Sequence, residues 1–108
     1  MSKFLAFAAI AAMATLEPGM ATAKPVHRTV SVVIDNLSFG PIPSNLRVAD
    51  TIVWENRDIF RHSATAPGHF NVDLAPGEKG RMTLGKAGVF AFACKYHPGM
   101  KGVLKVGL

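Results

Sequence analysis

From Thr29 onward, apolar and polar positions alternate in short runs separated by Gly, Pro, Asn and Asp, and no run keeps a helical period. Alternation of period two marks half-buried strands, so the pattern predicts an antiparallel all-β domain. Thr29–Asp35 is the first expected strand, with Val30, Val32 and Ile34 on one face and Val33 on the other. Asn36–Ser44, broken by Gly40, Pro41 and Pro43, reads as a loop or irregular edge. Leu46–Val48 predicts a short strand, then a turn at Ala49-Asp50. Thr51–Asn56 sets Ile52, Trp54 and Asn56 against Val53.

Arg57–Arg61 is expected to be a loop and Ser63–Ala66 a short extended piece. Pro67-Gly68-His69 and Asp73–Gly77 read as turns. Strands follow at Lys79–Leu84, Val89–Cys94 and Val103–Val106. Short strands in this number predict a two-sheet sandwich or a flattened Greek-key barrel. The expected core is Val30, Val32, Ile34, Ile52, Trp54, Leu84, Phe90, Phe92, Val103 and Val106.

The first 23 residues break this pattern. Lys3 precedes an apolar run from Phe4 to Ala14, which ends at Glu17-Pro18-Gly19, and Ala21-Thr22-Ala23 presents small residues to a signal peptidase. The run falls well short of the roughly 20 residues that span a bilayer, so a membrane anchor is the weaker reading. Residues 1–23 are therefore expected to be a cleavable signal peptide, and 24–108 one domain without stable membrane insertion. The leader takes away one Lys and one Glu, leaving the net charge at +5. A basic surface suits an acidic partner. The cations are scattered singly and no recognition motif accompanies them, so no nucleic-acid partner is expected.

A small exported domain ordinarily uses several cysteines as disulfides, but this chain has one, Cys94. It is either a buried inert thiol or a metal thiolate. Its neighbours favour the second. Cys94-Lys95-Tyr96-His97-Pro98-Gly99-Met100 sets thiolate, imidazole and thioether in a C-x-x-H-x-x-M spacing directly after a predicted strand. Cys and two His with a weak axial Met is the donor set of an electron-transfer copper site. The second imidazole is expected from His62, at the end of the loop after the Trp54 strand, because loops from distant strands meet at one end of a sandwich. Structural zinc sites rarely use Met, and iron–sulfur clusters need more thiolates. His27 and His69 are expected to be solvated, with no assigned role.

The segment from Ile34 to Val106 resembles the cupredoxins, specifically the small plastocyanin, pseudoazurin and amicyanin group. The matching stretches are Val48–Trp54, then Asn56-Arg57-Asp58 leading to His62, the span Cys94–Met100, and the closing Lys101–Val106. The resemblance implies a Greek-key β-sandwich binding one Cu(I)/Cu(II) ion through His62, Cys94, His97 and Met100. It also implies that Asn56 ties the two ligand loops together, although an ordinary turn-forming role for Asn56 stays open. The sequence departs from the family at Ala49, where the family commonly has Gly, and a turn needing positive φ there would be strained.

Four ligands and no open position imply a single-electron carrier rather than an enzyme; the leader implies export, and the resemblance to the family implies the periplasm as its destination. His97, Pro98 and Met100 would form an apolar docking patch. Arg57, Arg61, Lys95 and Lys101 would surround it and steer a redox partner with an acidic face to a monomeric carrier. Two alternatives use the same ligands. A copper carrier or metallochaperone would exchange its ion readily, and a redox-silent accessory module would not cycle.

Overall fold

The computed structural model describes residues 26–108; the expected leader and its cleavage point after Ala23 lie outside them. The described residues form nine strands: β1 (Thr29–Asp35), β2 (Ser38–Phe39), β3 (Leu46–Arg47), β4 (Thr51–Asn56), β5 (His62–Ala66), β6 (Phe70–Leu74), β7 (Lys79–Thr83), β8 (Gly88–Ala93) and β9 (Lys101–Gly107). They build two facing sheets, β2-β1-β4-β7 and β3-β9-β8-β5-β6.

The pairing is not wholly antiparallel, as the alternation had suggested. β1 runs parallel to β4, from Thr29 beside Thr51 to Ile34 beside Asn56, and β3 runs parallel to β9. A parallel pair needs a long connection, and the segment between β1 and β4 supplies it by crossing to the other sheet through β3. Alternation reports which face a side chain takes, not the direction of the neighbouring strand.

The inward positions of β1 and β4 are Val32, Ile34, Ile52, Trp54 and Asn56, all fully buried. Trp54 anchors the core. Phe39 and Phe92 meet it edge-on at 5.9 and 5.3 Å, and Phe70 stacks on it at 6.4 Å. These are favourable aromatic geometries. The Trp54 indole N–H is buried without an acceptor among the described residues, at a cost of about 1–3 kcal/mol that this packing offsets. Gly102 makes room for Phe92: a Cβ there would lie 2.3 Å from the Phe92 ring tip.

Three expectations need correction. Val103 is not core but 44% exposed, and Leu104 is fully buried instead. Positions 103 and 106 differ by an odd number, so one strand cannot send both inward. Asp73 and Leu74, expected in a turn, instead end a strand, Phe70–Leu74, with Asp73 paired across from Ser63. The turn after it is shorter, Ala75–Glu78, closed by the Glu78 N–H on the Ala75 carbonyl (3.0 Å), with Pro76 followed by Gly77 at φ 82°. That is type II turn chemistry.

The Arg47–Asp50 turn has the same form, closed by Asp50 N–H on Arg47 O at 3.0 Å, but Ala49 stands where glycine is preferred, at φ 76°. The strain anticipated for Ala is therefore present. Relief of left-handed strain, less the entropy glycine adds to the unfolded chain, predicts that Ala49→Gly stabilises the fold by about 1 kcal/mol. Thermal unfolding of the metal-free protein should show a midpoint roughly 4–8 °C higher. An unchanged or lower midpoint would mean the turn stores no strain.

Candidate metal centre

The strands place the chemistry at one end of the sandwich. β5 begins at His62 and β8 ends just before Cys94, so the loops holding His62 and Cys94–Met100 meet there. The short ligand loop closes on itself: Cys94 N–H donates to the Met100 carbonyl (3.0 Å) and Met100 N–H to the His97 carbonyl (2.9 Å). These bonds fix the three-residue spacing that turns Cys94, His97 and Met100 inward. His62 is fully buried, Cys94 and Met100 are nearly so, and His97 is half-buried.

The donor atoms converge. Cys94 Sγ lies 3.7 Å from His62 Nδ1 and 3.9 Å from His97 Nδ1, and the three ligand atoms lie within 4.8 Å of one another. An ion bound at about 2.0–2.3 Å in a trigonal plane of N and S donors needs them roughly 3.5–4 Å apart. The donors fit one such ion, and two sulfurs with two imidazoles fit copper by softness. His69 and His27 are exposed and lie outside this cluster; the His69 ring packs against Phe90 at 4.9 Å.

Burial pushes the Cys94 thiol up, but hydrogen bonds outweigh it and bring it down to about 6. They come first from the Ser63 N–H, with the His97 ring and the Tyr96 N–H adding to it. The group is therefore largely thiolate at neutral pH, the form that binds metal.

Ser63, immediately after His62, joins the two ligand loops. Its N–H points to Cys94 Sγ at 3.4 Å and its hydroxyl accepts the Lys95 N–H at 2.9 Å. The resemblance had implied this tie for Asn56. Asn56 instead braces the loop before His62, donating to the Phe60 (2.7 Å) and Leu74 (3.0 Å) carbonyls and accepting the Asp58 N–H (2.9 Å). Asp58 meets His62 Nε2 at 2.8 Å. That contact went unread, although an Asp four residues before a candidate ligand His in a tight loop was a usable signal.

The surface around His97 also differs from expectation. Met100 is too buried to join an apolar patch; the Phe60 ring (45% exposed) lies 5.8 Å from that of His97, and the exposed Ile59 (80%) and Pro98 are the chain neighbours of these two residues. Two of the four cations expected around it are neutralised. Arg57 holds Glu55 (3.2 Å) and Lys95 holds Asp73 (2.9 Å). Arg61 and Lys101 have no ion-pair partner among the described residues.

Asp73 clasps the ligand loop from β6, accepting from Lys95 Nζ (2.9 Å) and the Tyr96 hydroxyl (2.7 Å). The Lys95 and Tyr96 hydrogen bonds hold its carboxyl down at about 2. A carboxyl lowered on folding stabilises fully above its unfolded value, about 4, and loses that contribution as pH falls through its folded value. The metal-free protein should therefore lose thermal stability between about pH 4 and pH 2. Asp73→Asn should flatten that part of the profile, and an identical acid profile in the variant would remove the clasp from the account.

No protein-family model matches the chain. Among solved structures, amicyanin from Paracoccus versutus superposes with a TM-score of 0.64 at 21% identity, over 73% of this chain and 81% of that one. A reduced, Cu(I) form of an amicyanin mutant gives 0.64 at 22% identity, over 73% and 82%. A copper-containing nitrite reductase from Thermus scotoductus gives 0.65 at 30% identity over 80% of this chain, which spans 23% of that longer protein. The protein has the cupredoxin fold, and His62, Cys94, His97 and Met100 take the arrangement of a type 1 copper site. Its structural neighbours include the amicyanins, at identities that speak for the fold alone.

Proposed function

We propose that this protein is an exported blue copper protein that passes electrons singly between partners in the periplasm. The observation that carries the reading is the burial of His62, Cys94 and Met100 around one focus, with the His97 ring alone reaching half-way to the surface. Copper held there supplies a one-electron Cu(I)/Cu(II) couple. The closed Cys94–Met100 loop and the Ser63 tie restrain the donors, so little of the protein has to move when charge changes.

The same burial disfavours the copper-carrier reading, which needs an exchangeable site. His97 offers the route for the electron, and Ile59, Phe60 and Pro98 offer a partner a small apolar contact around it. Redox encounters are typically small and weak. Arg61 and Lys101 bias the encounter toward an acidic face, less strongly than four free cations would. Export rests on the sequence of residues 1–23; among the described residues no helix is long and apolar enough to cross a membrane.

Voltammetry of the copper-loaded protein in excess chelator tests the proposal. A reversible one-electron wave that persists is the expected result. Rapid loss of copper to the chelator would favour the carrier, and retained copper without a wave would favour a silent module.

A further inference from the structure

The loop that delivers His62 carries a carboxylate that the donor set does not use. Asp58 lies four residues before His62, and its side chain is only 8% exposed. Its Oδ2 meets His62 Nε2 at 2.8 Å and also accepts the Leu37 N–H at 2.9 Å, while Oδ1 accepts the Ile59 N–H at 2.8 Å. Its own N–H donates to Asn56 Oδ1 at 2.9 Å. The group is therefore fixed from three sides: the β1–β2 turn, its own loop and the end of β4.

That placement has a chemical consequence at the other side of the ring. A neutral imidazole carries one proton, and a nitrogen that carries it cannot bind a metal. An ionised carboxylate only accepts, so the contact with Asp58 holds the proton on Nε2. Nδ1 then keeps its lone pair, directed to the Cys94 side of the site, where the sulfur lies 3.7 Å away. A ligand imidazole whose far N–H meets a carboxylate is oriented, limited to one tautomer and made a stronger donor.

We propose that Asp58 is a positioning residue of the metal centre: it fixes His62 as the Nε2–H tautomer and, through the ring, sets how strongly the site prefers the oxidised ion. The second half rests on the copper reading above; the first half does not. Asp58 also ties the turn between β1 and β2, where Asn36 and Leu37 stand at φ 50° and 57°, so the same carboxylate couples that turn to the ligand.

Two substitutions separate charge from orientation. Asp58→Asn leaves an oxygen able to accept the Nε2 proton but removes the charge. Asp58→Ala removes both. Nitrogen-15 NMR of the metal-free protein at pH 8 should show His62 protonated at Nε2 in the wild type and in Asp58→Asn, and mixed tautomers in Asp58→Ala. On loading, Asp58→Ala should bind copper about 10–100-fold more weakly. Asp58→Asn should lower the ratio of Cu(II) to Cu(I) affinity about tenfold, a rise in potential of about 59 mV.

An unaltered His62 tautomer in Asp58→Ala would overturn the positioning role, whether or not the protein binds copper. An unchanged potential in Asp58→Asn would overturn the electronic role in a wild type that does cycle. Should Asp58→Ala fail to fold through loss of the Leu37 tie, a wild-type Nε2–H tautomer with a raised potential in Asp58→Asn supports the proposal. In that case a His62 protonated at Nδ1 in the wild type overturns it.

Discussion

Asn56→Ala is expected to cost about 3 kcal/mol and to loosen the metal centre without touching a ligand. The Asn56 side chain is fully buried and all its hydrogen-bonding groups facing the loop are used: both amide protons on the Phe60 and Leu74 carbonyls, and the oxygen on the Asp58 N–H. Alanine would leave two carbonyls and one N–H without partners, each costing about 1–3 kcal/mol where water cannot reach. Partial relaxation of the exposed Phe60 segment brings the sum down toward the lower figure. The midpoint of thermal unfolding should fall by roughly 12–24 °C, given about 4–8 °C per kcal/mol for a domain this small. Copper should also dissociate faster, because the freed loop carries both Asp58 and the approach to His62. A fall of only a few degrees would show that Asn56 is an ordinary turn former.

The second large effect is at Cys94. Cys94→Ser should lower copper affinity by more than the roughly 100-fold typical of losing a partner behind a ligand, because the thiolate is itself a ligand. Serine offers a harder donor that stays protonated at neutral pH, whereas the Cys94 thiol is brought down to about 6 by hydrogen bonds, that of the Ser63 N–H first, against the opposing effect of burial. The fold should survive, since the Ser63 N–H that faces the sulfur at 3.4 Å can donate to a hydroxyl instead. Chelator competition on the wild type and variant measures the loss, and circular dichroism checks the fold. Equal copper retention would place the metal elsewhere.

Strands whose alternation was uninterrupted were legible in the sequence to the residue. Thr29–Asp35 and Thr51–Asn56 have the bounds their patterns predict. Phe70–Leu74 alternates equally well, but Gly68 before it and Asp73 and Pro76 within and after it carry turn signals that masked a short strand. Val103 was misplaced because a β-branched residue reads as core, while the face is decided by register, and the strand starts at Lys101 with its even positions inward.

The donor set was legible for a different reason. Cys94, His97 and Met100 lie in one loop, so their spacing is local and the chemistry of the three together is specific. His62 was reachable because a sandwich brings loop ends together. What binds these side chains from behind was not legible. Ser63, Asp58 and Asp73 are ordinary polar residues whose partners are set by how the β4–β5 loop, β6 and the ligand loop come together. The family pattern pointed to Asn56 for a tie that Ser63 makes: Asn56 ends β4 six residues before His62 and Ser63 follows it, and only their partners in the folded protein separate the two roles.

The most direct test of the central claim is the visible absorption and EPR spectrum of the chain from Lys24 to Leu108 after addition of one equivalent of Cu(II). An intense blue charge-transfer band with narrow copper hyperfine splitting would identify a Cys94 thiolate in a trigonal site, as the account predicts. A pale spectrum with broad splitting would mean that copper does not engage Cys94, and would contradict it.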